Sequence, residues 1–167
     1  VPSGDYTVSG NNATSVGTHT VTVTVKPESV NFTGSATATF RIVEATTKII
    51  YSNTTASEVS ELNGHYLIMD NINASVLANL YSTTQDFTGT LEAGSDNNGN
   101  FYKIDMTGYS HALFNTVNGG VVKNVILDNV NISSSDENVG AIAGIAKGYS
   151  RIYNCGVLAT TSTVGKD

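Results

Sequence analysis

The sequence predicts an all-β protein in which alternating strands precede a solenoid of stacked rungs. Segments 119–132 and 148–163 repeat the same apolar pattern thirty positions apart, as successive rungs of a solenoid do. Residues 1–44 instead alternate apolar and polar side chains, which is typical of half-buried antiparallel strands. Only 13% of the residues are charged, so solubility must come from Ser, Thr, Asn and Gly, a composition that favours an extracellular all-β protein.

Composition also excludes two classes of function. The eight Lys and Arg residues are scattered in a chain of net charge −6, whereas nucleic-acid binding requires clustered positive charge. No stretch approaches the roughly 18–20 apolar residues that span a membrane, so we expect no membrane insertion. The chain starts at Val1 without a signal peptide, and we expect it to be a segment of a longer secreted or cell-surface protein.

Three alternating runs predict the strands of the first segment, residues 1–44. In the central run Val21, Val23 and Val25 fall on one face, and threonines fall on the other. Residues typical of turns separate the runs. The predicted strands are Tyr6–Val8, His19–Val25 and Phe32–Ile42.

The runs DYTVSGNNATSVGTHTVTVT and NFTGSATATFRI resemble the C-terminal half of a bacterial immunoglobulin-like repeat. This resemblance implies that residues 1–44 are a partial immunoglobulin-like β-sandwich module. The first strands of such a repeat have no counterpart here, so the resemblance also implies that the chain begins inside the module.

A short helix is predicted at residues 56–62, after a polar joint. Thr55 and Glu58 have the spacing of a capping box, Val59 and Leu62 form a small apolar stripe, and Gly64 suits a helix stop. A helix in this position commonly covers the open end of a solenoid, because an uncovered strand edge recruits other chains.

The rest of the chain predicts the rungs. Aligning Asn124 with Asn154 places Val122 over Ile152, Val125 over Cys155 and Leu127 over Val157. Residues 74–81 are compatible with a helical turn or with an irregular insertion. Further strands are predicted at 66–72, 87–91, 101–106 and 139–145, and polar loops at 93–100 and 133–138.

The motif V-x-N-V-x-L, followed by V-G-A-I-A-G and I-x-N-C, resembles the GLUG-type repeat region of bacterial surface proteins. It is similar also to the non-catalytic N-terminal region of immunoglobulin-A-cleaving metallopeptidases. The resemblance covers about 48–165 and implies that residues 45–167 form a right-handed parallel β-helix with a small capping helix. The loop LEAGSDNNGN is longer than the compact turn of that family, which leaves the register of its rung open.

Two polar pairs have structural interpretations. Asn124 and Asn154 occupy equivalent rung positions, so we expect an inward asparagine ladder at a bend rather than ligand contacts. Asp105 would lie beside Lys123 if Ile104 stacks over Val122, and we expect a surface ion pair there rather than a catalytic pair.

The loop Asp96–Asn100 has oxygen-bearing side chains at alternate positions, as calcium loops do, but lacks their glycine and bidentate acid. We therefore expect an ordinary turn, with calcium binding as the alternative. The loop Ser135–Asn138 is a second acidic loop with still less resemblance to a cation site.

No catalytic, cofactor-binding or metal-ligating residue is predicted. The three histidines, His19, His65 and His111, lie in different elements without metal-ligand spacing. Cys155 cannot form an internal disulfide, and we expect it to be a small buried hydrophobe on a strand.

The sequence thus favours a non-enzymatic structural or adhesive segment whose partners are host or environmental glycans or surface proteins. Its loops 93–100 and 133–138 are the expected recognition surface. One alternative is the accessory region of a secreted peptidase. The other is a fragment of a polysaccharide-degrading enzyme, which would require two carboxylates among Asp105, Asp128 and Asp136 to converge within roughly 5–10 Å in a cleft. We expect that they do not.

Overall fold

The chain divides into two compact units, Val1–Ala45 and Thr46–Asp167. The computed structural model describes residues 4–134, 138–158 and 163–166 of these units. None of the helices in these ranges is long and apolar enough to cross a membrane.

The first unit contains one antiparallel sheet of three strands in the order β1-β2-β3. The strands are β1 (Tyr6–Ser9), β2 (Gly17–Val25) and β3 (Ser35–Ile42). Val21 and Val23 of β2 pair with Ala38 and Ala36 of β3, so the small and β-branched side chains meet across the sheet. The three predicted strands are confirmed, while the immunoglobulin-like nature of the unit stays a prediction.

The second unit is a parallel β-solenoid, as the repeated segments predict. Its chain passes from one face of the solenoid to the next, and successive returns stack parallel strands on each face. Its strands are β4 (Thr47–Ile50), β5 (His65–Ile68), β6 (Ile72–Asn73), β7 (Thr90–Ala93), β8 (Lys103–Asp105), β9 (Phe114–Asn118), β10 (Val121–Lys123), β11 (Ile126–Asp128), β12 (Asn131–Ser134), β13 (Ala143–Lys147), β14 (Arg151–Tyr153), β15 (Gly156–Val157) and β16 (Thr163–Lys166).

Four parallel sheets form the faces of the solenoid. The first face has five strands in the order β14-β10-β7-β5-β4, and the second has four in the order β15-β11-β8-β6. The pairs β9–β13 and β12–β16 form the remaining faces. The topology therefore repeats once per turn of the chain, which is the arrangement of a solenoid.

The register of these sheets confirms the stacking that the repeats predict. Val122 pairs with Ile152, and Leu127 pairs with Val157. Because the pairing on both sides keeps the thirty-residue offset, Asn124 and Asn154 lie at equivalent corners. Because of this register, residues that repeat in the sequence stack in columns of similar side chains.

Those columns are the core of the solenoid. Leu91 and Val122 stack on the first face, Ile104 and Leu127 stack on the second, and all four side chains are fully buried. Burial of an aliphatic side chain of this size contributes about 1.5–3 kcal/mol to folding. The stacked columns therefore stabilise each turn through its neighbours.

The predicted helix at 56–62 is much shorter in the structure. A 3-10 helix spans Ala56–Glu58 and ends at Val59, and the capping box is present. Val59 is fully buried, so the chain enters the core at this residue and the helix does not continue. Gly64 does not stop this helix and lies instead against the ring of Tyr66, where an added Cβ would come within 2.6 Å of Cζ.

The insertion at 74–81 is helical. A second 3-10 helix spans Ala74–Leu80, and the Asn73 side chain caps it by accepting a hydrogen bond from Ser75 N. The Asn79 side chain donates a 2.9 Å hydrogen bond to the Ala56 carbonyl, which joins this helix to the first. The two short helices thus cover core residues together.

The single strand predicted at 66–72 is two strands, β5 and β6, on different faces. Between them the Asp70 carboxylate accepts a 2.8 Å hydrogen bond from Asn71 N, which fixes a corner. Asn71 Oδ1 in turn accepts a 2.8 Å hydrogen bond from Lys103 N of the next turn. Only two polar residues separate the apolar run at 66–69 from Ile72, which is why the sequence does not reveal the corner.

Candidate functional site

The predicted asparagine ladder is present at the corners. Asn154 Nδ2 donates a 2.7 Å hydrogen bond to Asn124 Oδ1. Both residues have left-handed backbones, with φ of 52° and 62°, a conformation that asparagine tolerates better than most residues. Asn124 is half-buried, whereas Asn154 is exposed rather than inward. Both amides are committed to the corner, as expected of a structural role.

The predicted ion pair between Asp105 and Lys123 is wrong. Ile104 pairs with Leu127 on the second face, not with Val122 on the first, so Asp105 and Lys123 lie on different faces. Lys123 Nζ instead forms a 3.0 Å ion pair with Glu92, its register neighbour on β7. The two side chains are only 26% and 13% exposed, so water screens this pair less than a fully exposed surface pair.

The register brings together two carboxylates that we expected to lie apart. Asp105 of β8 pairs with Asp128 of β11, and neighbouring strands are about 4.8 Å apart. Neither residue lines any of the three cavities described below. The third carboxylate of the prediction, Asp136, lies outside the described residues.

Hydrogen bonds hold Asp105 in its ionised form. Its Oδ1 accepts from the Thr107 hydroxyl at 2.6 Å, from Thr107 N at 2.9 Å and from Asn129 Nδ2 at 3.0 Å. The Thr107 hydroxyl, followed by the Asn129 amide, lowers the pKa of Asp105 below its ordinary value. Asp105 is therefore a hydrogen-bond acceptor at neutral pH and has no proton to give a substrate.

The Asp96 loop is a turn held by its own carboxylate. Asp96 Oδ1 accepts from Asn98 N at 2.8 Å and from Asn100 N at 2.9 Å, and Oδ2 accepts from Asn100 Nδ2 at 3.1 Å. This arrangement is an Asx turn, in keeping with the ordinary turn that we expected, and calcium binding stays the alternative. Among the described residues, no group of three or more His, Cys, Asp or Glu could hold a metal ion. Residues 135–137 of the second acidic loop lie outside the described ranges.

The other candidate side chains are dispersed. His19 lies in the first unit, with Nε2 2.7 Å from the Ser15 carbonyl, and His65 is exposed on β5. Cys155 was expected to be buried on a strand, but it lies between β14 and β15 and is only half-buried. Burial raises the pKa of its thiol, which disfavours a role as a nucleophile.

Three open cavities are found among the described residues of the solenoid. Two of them contain a carboxylate that already has a partner. Glu58, in a cavity of about 570 Å³, accepts a 2.8 Å hydrogen bond from Thr55 N. Asp86, in a cavity of about 810 Å³, pairs with Lys147 at 3.1 Å and with Asn118 at 3.0 Å.

The third cavity, which we call the aromatic cleft, has a volume of about 360 Å³. Two stacked rings lie in its wall next to polar groups. Four segments bring its residues together: the end of the second 3-10 helix, residues 110–115, β12 and residues 138–144. They are Tyr81, Ser110, His111, Ala112, Asn115, Ile132, Asn138, Val139, Gly140 and Gly144.

Stacked rings build the aromatic wall. The His111 ring lies over the Tyr81 ring, with centroids 3.9 Å apart and planes tilted by 33°. Tyr109 contacts His111 edge-on at 5.2 Å. His111 Nδ1 is 2.8 Å from the Ala112 carbonyl, which accepts its proton in the tautomer that carries one there. These contacts restrain His111 on three sides.

Polar groups and backbone form the rest of the cleft. Within the described ranges, no residue hydrogen-bonds the side-chain amide of Asn115 or Asn138. Gly144 forms part of the opposite wall, and an added Cβ there would come within 3.0 Å of the Asn115 carbonyl. The cleft therefore offers two amides beside an aromatic surface, against a wall of close-packed backbone.

Sequence reasoning placed His111 without a partner and did not single out Tyr81. Tyr81 and His111 are separated by thirty positions, as the asparagines of the ladder are, but their side chains differ. The offset between stacked strands also varies along the chain, so the repeat alone does not join these two residues.

Residues 54–158, more than half of the chain, match the family described as "M26 IgA1-specific Metallo-endopeptidase N-terminal region". Comparison with curated proteins and with solved structures gives no match. The predicted similarity to the peptidase N-terminal region is confirmed, while the GLUG-type assignment stays a prediction. The chain belongs to the family of M26 IgA1-specific metallo-endopeptidase N-terminal regions.

Proposed function

We propose that this chain is a non-catalytic accessory segment of an extracellular or cell-surface protein, in which a stiff solenoid presents a recognition surface. The family supports this proposal, because its description names the N-terminal region of a peptidase and not the catalytic part. The partner that we propose is a host or environmental glycan, and a surface protein is the alternative.

The stacked core supports the mechanical part of the proposal. Leu91, Val122, Ile104 and Leu127 are fully buried in columns that cross successive turns. A packed interior has few alternative arrangements, so a surface carried by it keeps its shape. Preorganisation of this kind reduces the entropic cost of binding a partner.

The rival function is polysaccharide cleavage, and the pairing of Asp105 with Asp128 favours it. Retaining glycosidases hold two carboxyl groups about 5–5.5 Å apart, but one of them must be a protonated acid. The hydrogen bonds from Thr107 and Asn129 lower the pKa of Asp105, which argues against Asp105 as the acid but not against Asp105 as the nucleophile. Neither carboxylate lines one of the three cavities, and this supports a structural role of the pair.

A binding screen tests the proposal. The 167-residue chain would be applied to an array that carries both glycans and secreted host proteins, with a heat-unfolded sample as the control. We expect retention on a small group of related glycans. Retention on proteins alone would replace the proposed partner by the alternative, and equal signals from folded and unfolded chains would contradict a recognition role.

A further inference from the structure

We propose that the aromatic cleft binds one pyranose ring of an uncharged glycan. This inference rests on the proposed function and assigns the recognition step to one place on the solenoid. The observation that carries it is the combination, in one cavity, of a restrained aromatic wall and unpartnered amide side chains.

The aromatic wall matches the apolar face of a sugar. A pyranose ring presents C–H groups on one face, and an aromatic surface can pack against them with little loss of its own conformational freedom. Tyr81 and His111 are already in contact at a 3.9 Å centroid distance, and Tyr109 supports His111 from the side. A ligand therefore meets rings that are held in place before it arrives.

The polar groups match the hydroxyls at the ring edge. Each sugar hydroxyl donates and accepts a hydrogen bond, and an asparagine amide does both through Nδ2 and Oδ1. Asn115 and Asn138 line the cleft, and no described residue hydrogen-bonds either side chain. Ser110 adds an exposed hydroxyl at the same opening.

Charge restricts the ligand. Among the described residues that line the cleft there is no Asp, Glu, Lys or Arg. An acidic sugar would lose water here without gaining a cationic side chain, which disfavours it.

Nuclear magnetic resonance tests the location. The isotope-labelled chain would be titrated to millimolar concentrations with galactose, mannose, N-acetylglucosamine and N-acetylgalactosamine, and with sialic acid as the acidic control. We expect at least one neutral sugar to shift the backbone signals of residues 109–115 and 138–144, and sialic acid to leave them unchanged. The proposal is overturned if no neutral sugar shifts these signals, or if the shifts fall elsewhere.

Two cleft variants and one control test the contacts. Asn115→Ala removes one amide and should weaken binding by roughly three- to tenfold, the loss of one neutral hydrogen bond. His111→Ala removes part of the aromatic wall and should weaken binding at least as much. Asn53→Ala changes an exposed asparagine outside the cleft and should bind like the unsubstituted chain. Unchanged binding by Asn115→Ala would overturn the proposal.

The two proposals fail in different ways. If the chain binds glycans on an array but Asn115→Ala retains that binding, the cleft is wrong and the recognition role stands. If the chain binds none of the glycans, both the sugar and the glycan partner are wrong. If the chain releases product from a polymer, the non-catalytic role is wrong whether or not the cleft is occupied.

Discussion

At a corner of the solenoid, one asparagine suits the local backbone conformation and also bonds the neighbouring turn. Asn154 has a left-handed backbone, and its Nδ2 donates a hydrogen bond to Asn124 Oδ1. Asn154→Ala should lower the free energy of unfolding by about 1–2 kcal/mol, because alanine loses the hydrogen bond and is strained at positive φ. Asn154→Gly should lose less than about 1 kcal/mol, because glycine accepts the backbone conformation. Urea denaturation measures both, and equal losses would contradict the conformational part of this explanation.

The distance between turns depends on glycine at one position. A Cβ on Gly89 would overlap the carbonyl oxygen of Gly64 and lie within 2.9 Å of its nitrogen, and both atoms belong to the backbone. Gly89→Ala should therefore destabilise the chain by about 1–3 kcal/mol in urea denaturation. Gly156→Ala is the matched control, since its Cβ would meet only Ile126 Cδ1 at 3.7 Å. A loss of the same size in both variants would argue against a steric cause.

The sequence could predict the role of a residue where the same side chain recurs at the equivalent position of two turns. Asn124 and Asn154 stand out because the same side chain recurs at the same place in two turns. Tyr81 and His111 have different side chains at that spacing, so only the structure reveals their contact. The amide of Asn115 is likewise invisible in a chain so rich in asparagine.

Each strand of the solenoid depends on the strand stacked on it. Leu127 in β11 is fully buried, whereas Val157, its partner in β15, is 39% exposed. Leu127→Ala should cost about 2–5 kcal/mol, because it leaves a cavity between turns. Val157→Ala should cost less than about 1 kcal/mol, because little area is lost from a half-exposed site. Chemical denaturation compares them, and similar losses would contradict the burial that the columns predict.

The link between β8 and β11 should weaken in acid. Hydrogen bonds from Thr107 and Asn129 lower the pKa of Asp105 below its ordinary value of 3.8. A carboxyl whose folded pKa is depressed stabilises the fold above its unfolded pKa, and this contribution is lost as the pH falls through the folded pKa. We expect the melting temperature to fall below about pH 4, and Asp105→Asn to reduce that fall. If the melting temperatures of the two chains fall by the same amount across this pH range, the contribution assigned to Asp105 is contradicted.

The register of individual elements was only partly predictable. Repeated segments gave the stacking of β10 on β14 correctly, because the offset is the same along both segments. Ile104 was assigned to the wrong face, because Val122 and Leu127 are both buried hydrophobes and only the corner at Asn124 separates their strands. Hydrophobic pattern shows that a side chain points inward, but not to which face of a solenoid its strand belongs.

At the scale of the molecule, the two kinds of sheet follow from two kinds of pattern. Strict alternation in residues 1–44 corresponds to the antiparallel sheet β1-β2-β3, and repetition thirty positions apart corresponds to the parallel solenoid. Fold class and family were therefore predictable, because both depend on patterns that extend over many residues. The aromatic cleft was not, because it forms where four separate segments meet.

The central claim is that the chain recognises a partner without transforming it. The most direct measurement incubates the 167-residue chain with immunoglobulin A1 and with polysaccharides that it retains, and follows new polypeptide ends and reducing sugars over time. We predict no release above that of a heat-unfolded sample. Release that disappears in Asp105→Asn or Asp128→Asn would contradict the claim and identify the paired carboxylates as a catalytic site.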